Sequence, residues 1–109
     1  MGPLSQNEIL ILAALGASER FGRELTDEIR RITEGRYELS IGGLYTTLHR
    51  MERKKLVTAR WGDQRVDHPT VQRRYYRITG QGERAFKDAG RTLMPALRLV
   101  PGLKLTEVL

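Results

Sequence analysis

SIGGLYTTLHRMERKKLV, Ser40 to Val57, decides how this chain is read, together with RRYYRITGQG from Arg73 to Gly82. Ser40 is a good N-cap, because its side-chain oxygen can accept from a free amide of the first helical turn. Behind it Ile41, Leu44, Tyr45, Leu48 and Met51 recur at helical spacing and form one continuous apolar face. Gly42, Thr46, Thr47, His49, Arg50 and Arg53 fall outside that stripe. The second edge of this helix, expected over residues 41–54, therefore starts small and polar and ends cationic.

Downstream, Val57, Ala59 and Trp61 alternate with Thr58 and Arg60, as a half-buried strand should. Gly62 to Gln72 is rich in turn formers and has no helical period, and Arg74, Tyr76 and Ile78 then alternate with Tyr75 and Arg77. The two strands predict a hairpin with a long tip. Thr79 opens a last helix with Ala85, Phe86, Ala89 and Leu93 on one face, which Pro95 and Pro101 are expected to kink or end.

Upstream, Ser5 and Glu8 stand in the S-x-x-E spacing of a capping box, directly before Ile9, Leu10, Ile11, Leu12 and Leu15. A first helix is predicted from about Gln6 to Ala17 and is apolar around most of its circumference. Leu25, Ile29 and Ile32 mark a second, amphipathic helix that Gly35 ends. Helix, helix, helix, strand, basic loop, strand, helix is the plan of a winged helix-turn-helix. The fold class expected is mainly α with a small β-hairpin, with residues 1–78 forming a DNA-binding domain and 79–109 a C-terminal dimerisation helix and tail.

Charge follows this plan. Residues 1–40 carry five arginines against seven acids, a net −2, while residues 41–78 carry nine basic side chains against three acids, a net +6. Residues 79–109 add a net +2, so the excess lies in the helix and hairpin, where a polyanion would be gripped. There is no cysteine, which excludes disulfides, thiolate nucleophiles and Cys-type zinc sites. The two histidines, His49 and His68, stand in no metal-ligand spacing, and no phosphate loop or nucleophile motif occurs, so an enzyme is not expected and no cofactor is implied. The longest apolar run, Ile9 to Leu15, is far short of the ~20 residues that span a bilayer, and MGPLSQNE lacks the marks of a secretory signal. A cytoplasmic protein without a membrane partner is expected.

A major groove about 12 Å wide admits one helix, whose N-terminal residues meet base edges. Ser40, Gly42, Gly43, Thr46 and Thr47 suit that close approach, and Tyr45 at the border of the stripe can reach a phosphate. Arg50 and Arg53 lie one and two turns further on, at a spacing that reaches the flanking phosphates, with a guanine as the alternative for Arg50, and Lys54 adds charge at the exit, with Glu52 as the sole acid among them. In the wing, Arg65 at the tip and Arg73 and Arg74 at the base are candidates for phosphate or minor-groove contact. Trp61 and Tyr76 are assigned to packing.

At these residues the chain resembles the PadR family of bacterial transcriptional regulators, repressors first associated with phenolic-acid stress. EILILAAL, FGRELTDEI, LSIGGLYTTLHRMERKKLV and RRYYRITGQG carry the likeness, over roughly residues 5–90. Thr46 replaces the family's usual proline, Lys55 a glycine and Gly80 a common acid. The resemblance implies a homodimeric repressor joined through C-terminal helices and bound to a palindromic operator, in a compact subfamily with a single C-terminal helix.

An apolar tail makes dimerisation reasonable on physical grounds too, with Ile9, Leu12, Phe86, Leu93, Leu97 and Val100 as the expected interface. Two recognition helices would then stand about one DNA turn apart, ~34 Å. A small hydrophobic or aromatic effector between the wing, the first helix and the last helix is a further expectation, motivated by Trp61, Tyr76 and Phe86. The competing reading is a protein–protein interaction module of winged-helix shape that does not bind DNA.

Overall fold

In the computed structural model, residues 2–64 and 72–98 are described. Helix α1, Gln6–Leu15, starts at the expected capping box: Glu8 N donates to Ser5 Oγ at 3.2 Å, and Ser5 N donates to Glu8 Oε1 at 2.8 Å. It stops two residues short of the predicted end, where Gly16 takes a left-handed φ of 54°. Ile11, Leu12, Ala14 and Leu15 are buried, so α1 runs through the middle of the core.

A two-residue strand, β1 (Arg20–Phe21), follows, and nothing in the side-chain alternation predicts it. It leads directly into α2, Gly22–Ile32, whose Glu24 accepts from Phe21 N at 3.1 Å and whose Leu25 and Ile29 are buried. Helix α3, Ile41–Arg53, is capped by Ser40, which accepts from Gly43 N at 3.1 Å. Strands β2 (Val57–Gln64) and β3 (Gln72–Ile78) form the hairpin, and β1 adds to its far side in the order β1-β3-β2, all antiparallel. Val57 faces Ile78, Ala59 faces Tyr76 and Trp61 faces Arg74, so these pairs share the face toward the core. Gly62, expected to open the loop, instead stays within β2, at an irregularity between Trp61 and Gln64 where the Tyr75 ring lies against it. Helix α4 runs Gly80–Arg98 and continues through Pro95 for one more turn, although proline forfeits one backbone bond there.

The turn after α3 ties the molecule together. Leu56 N donates to Met51 O at 2.9 Å and Lys55 N to Glu52 O at 3.0 Å, a Schellman ending with Lys55 at a φ of 62°. The start of α4 sits on this turn. Thr79 N donates to Leu56 O at 3.1 Å, Thr79 Oγ1 to Lys55 O at 2.6 Å, and Gln81 Nε2 to Lys54 O at 3.1 Å. Thr79 Oγ1 also accepts from Gly82 N at 3.0 Å and so caps α4. Gly82 is buried against Leu56; a Cβ there would overlap the Leu56 carbonyl oxygen and lie 2.9 Å from Ile78 Cγ1.

Four side chains are placed differently from expectation. Thr47, assigned to the polar edge of α3, is only 4% exposed, while Ile41 and Tyr45 of the predicted apolar face are exposed. The buried stripe is Leu44, Thr47, Leu48 and Met51, turned by roughly 45° from the predicted one at 3.6 residues per turn. Trp61, assigned to packing, is 60% exposed, because its place on the sheet lies beyond the end of the core. Among the described residues no helix is long and apolar enough to cross a membrane.

The two ends of this turn should respond oppositely to substitution. Lys55→Gly removes a left-handed L-residue and is expected to raise stability by about 1 kcal/mol. Gly82→Ala is expected to lower it by about 1–3 kcal/mol through overpacking, despite alanine's helix propensity. Denaturant midpoints of the two variants against the parent check both signs.

Candidate nucleic-acid interface

Because Leu44, Thr47, Leu48 and Met51 are buried, α3 shows the solvent a stripe of Ile41, Gly42, Tyr45, Thr46, His49 and Arg53. Thr47 belongs to the packed side: its Oγ1 donates to Gly43 O at 2.8 Å, which satisfies the hydroxyl and withdraws it from any ligand. Ser40 is exposed at the cap, and Gly42 has open space where a Cβ would stand. Gly43 is half-buried, against Ser40 Oγ and Leu39 Cδ1. Tyr45 reaches across to Gly22 at the start of α2, where a Cβ would lie 2.9 Å from Tyr45 Cζ.

Between α3 and the sheet lies an open cleft of about 960 Å³. Its walls are Phe21, Tyr45, Trp61 and Tyr76, with Arg23, His49, Arg73 and Arg74 around them. The Arg74 guanidinium stands 5.0 Å from the centre of the Trp61 ring and donates from Nη2 to Glu52 Oε2 at 3.2 Å. The Arg73 guanidinium stands 4.3 Å from the Phe21 ring, which itself meets Tyr75 edge-on. Such stacking holds arginine side chains extended while leaving donors toward solvent. At the base of the cleft the Tyr76 hydroxyl is fully buried and makes no hydrogen bond of good geometry among the described residues, although Arg74 is close, and burial together with nearby Glu52 pushes its pKa up.

The structure thus brings Tyr45, Arg73 and Arg74 around one cleft, with Ser40, Gly42, Gly43, Thr46 and Arg53 on the adjoining helix. Arg65 lies outside the described residues. Phe21 and Arg23 join the site although neither period nor charge count singled them out, and Ile41 joins it although its period assigned it to the packed face. The close F-G-R string from Phe21 to Arg23 was the available signal, since a helix beginning there points its first turn at Tyr45.

Arg50 and Lys54 are placed differently from Arg53. Lys54 Nζ donates to Glu8 Oε2 at 2.9 Å, and Arg50 Nε lies 3.6 Å from the same oxygen. Glu8 is the capping-box residue of α1, with a side chain only 2% exposed. Burial alone raises its pKa, but the Ser5 amide and the Lys54 ammonium outweigh burial and hold the carboxyl below the usual carboxylate range. Glu52 is therefore not the sole acid opposing this cationic edge, and it is engaged by Arg74 instead.

The expected dimer residues also separate. Leu12 is buried inside its own chain and is unavailable to a partner, because α1 packs centrally. Phe86 is half-buried against the core, and Ile9 and Leu93 line a groove of about 410 Å³ between the N-terminal segment and α4. Leu93, Met94 and Leu97 are exposed, and Val100 lies outside the described residues.

The sequence profile of the transcriptional regulator PadR-like family matches residues 11–88. An uncharacterized protein of Lysinibacillus sphaericus is 31% identical over 74 residues, 68% of this chain, and the chain spans 65% of that relative's length. A transcriptional regulator of Clostridium thermocellum is similar in structure, with a TM-score of 0.73 at 25% identity, over 85% of this chain and 87% of that one. Bacillus subtilis PadR in complex with operator DNA has a TM-score of 0.69 over 81% of this chain and 48% of that chain; at 18% identity this is a likeness of fold. With a winged helix in which a three-stranded sheet flanks α3, and a profile match over more than half its length, the chain belongs to the PadR-like family of transcriptional regulators.

Proposed function

We propose that this chain is a sequence-specific DNA-binding transcriptional regulator, a homodimeric repressor that sets α3 into the major groove of a palindromic operator with the β2–β3 wing alongside. The observation that carries this reading is the exposed stripe on α3, small at its N-terminal end and cationic at Arg53, beside a cleft edged by Arg23, Arg73 and Arg74. Ser40, Gly42, Gly43 and Thr46 let the backbone come close to base edges, and Ile41 offers an apolar contact of the kind a thymine methyl accepts. Tyr45, Arg53 and Arg73 are the candidates to meet phosphates, and Arg74, whose Nη2 is engaged by Glu52, has only its remaining guanidinium donors for the same purpose. That the fold neighbour from Bacillus subtilis was solved in complex with operator DNA supports DNA as the partner.

Leu93, Met94 and Leu97 form an uncovered apolar stretch on the outer end of α4, continuous with the groove that Ile9 lines. A second copy covering this stretch gives the dimer. The effector reading takes a new seat. Trp61 and Tyr76 border the cleft beside α3, whereas Phe86 lines a separate pocket with Leu12 and Ile78, so the three do not share one space. Aromatic walls edged by guanidinium groups suit a planar aromatic anion, and an occupant there would stand against Tyr45 and His49 and compete with the duplex.

Three outcomes are expected. Affinity for a duplex falls steeply with salt, and Arg53→Ala lowers the slope of log K against log salt by about 1; binding that survives high salt, or wild-type behaviour of Arg53→Ala, counts against the site. Leu93→Glu shifts the protein to monomer in sedimentation, and an unchanged dimer moves the interface elsewhere. A panel of aromatic acids weakens duplex binding in the parent but less in Trp61→Ala; indifference to the whole panel removes the effector.

A further inference from the structure

Of the three cations that the sequence places on the basic edge, Arg53 is not turned back toward the body of the protein, but Arg50 in α3 and Lys54 at its C-cap are. Their common partner is one oxygen of Glu8, at 2.9 Å from Lys54 Nζ and 3.6 Å from Arg50 Nε. The carboxylate's other oxygen accepts the Ser5 amide at 2.8 Å, so the side chain is fixed at both ends. Glu8 is only 2% exposed, whereas Arg50 and Lys54 are 40% and 34% exposed. The cations therefore stand at the surface with their charge satisfied from beneath.

The geometry points to Glu8 as a positioning residue that withholds Arg50 and Lys54 from the phosphate backbone and so sets how much of the charge on α3 a duplex can use. This rests on the DNA-binding reading above. A phosphate that recruits Lys54 must compete with a charge-assisted bond to a poorly hydrated carboxylate, and if it wins it leaves a buried anion with the Ser5 amide and the more distant Arg50 as its remaining partners. Each phosphate neutralised adds about 0.9 to the steepness of log K against log salt for duplex DNA. A cation held by Glu8 contributes little of that, whereas a released one contributes all of it. The consequence is weaker binding to arbitrary sequence than the net charge of α3 and the wing suggests.

Glu8→Gln isolates the effect, because glutamine serves in a capping box as well as glutamate does while carrying no charge. Binding to a short duplex of mixed sequence would be followed from about 50 to 200 mM salt for the parent, Glu8→Gln, Lys54→Gln and the double variant. Circular dichroism would establish that each is folded. Glu8→Gln is expected to bind about tenfold more tightly at the low-salt end, with a slope steeper by about one to two units. Lys54→Gln is expected to remove about one unit in the Glu8→Gln background and well under half a unit in the parent. Equal slopes for folded parent and Glu8→Gln overturn the inference. So does a full unit lost on Lys54→Gln in the parent, a measurement that decides the matter even if Glu8→Gln does not fold. A duplex bound by none of the four sinks the DNA-binding reading itself, whereas binding gained only in Glu8→Gln supports the withholding role.

Discussion

The rotation of α3 about its own axis decides what this protein can present to a ligand, and four buried side chains set that rotation. Leu44, Leu48 and Met51 have no exposed surface, and Thr47 fills the remaining position in the stripe. A hydroxyl in a buried stripe would ordinarily cost free energy, but the bond from Thr47 Oγ1 to Gly43 O supplies its partner within the helix. Full burial of a large apolar side chain contributes roughly 1.5–3 kcal/mol, so three of them resist a turn of the helix that would expose any one. Ile41 and Tyr45 are apolar enough to have joined the stripe. They stay outside because their helical phase turns them away from Leu44, Thr47, Leu48 and Met51 and toward the cleft beside the sheet, where Tyr45 lies against Gly22.

Electrostatics then acts on a surface already fixed by packing. A segment sum of +6 over residues 41–78 is real, but much of it is spoken for. Glu8 engages Arg50 and Lys54, Glu52 engages Arg74, and Glu19 accepts from Arg60 Nε at 2.7 Å. In each case the acid comes from an element remote in sequence from the base. Arg53 and Arg23 are exposed on the side that faces outward. Beneath them the Tyr76 hydroxyl is buried beside Arg74 without a hydrogen bond of good geometry among the described residues, a cost that its ring's burial against the core offsets.

Local chemistry was legible in the residues, and tertiary placement was not. The capping box at Ser5 and Glu8, the N-cap at Ser40 and the alternation through Tyr76 all depend on neighbours within a few positions, and each appears where spacing puts it. Strand β1 escapes notice because two residues cannot display a period, and its pairing partners lie 54 or more positions further on. Trp61 has the right phase for the inner face but stands past the core's edge, and phase carries no information about that edge. Thr47 was misplaced because a threonine's polarity says nothing about whether its hydroxyl is already bonded to its own helix. Glu8 shows the sharpest limit: its capping spacing is plain, yet its contact with Lys54 joins positions 46 apart.

The turn at Lys54 to Leu56 joins these two levels. Where the family's usual glycine would adopt a left-handed conformation without strain, Lys55 adopts it at a φ of 62°, and both Schellman bonds still form. The pressure to keep the turn comes from what rests on it. Thr79 and Gln81 reach all three carbonyls of Lys54, Lys55 and Leu56, and Gly82 lets the first turn of α4 lie directly against Leu56. The direction of α4 is therefore referred to the end of α3 by one backbone bond, by the Thr79 and Gln81 side chains on the carbonyls of the turn, and by the close approach at Gly82. If a second copy is held by the outer end of α4, the separation of the two recognition helices is set by this short connection, and a distortion of the turn is levered along the 19 residues of α4. The bonds that Thr79 and Gln81 make to this turn offset the strain of Lys55, because a turn of another shape would withdraw the carbonyls they use.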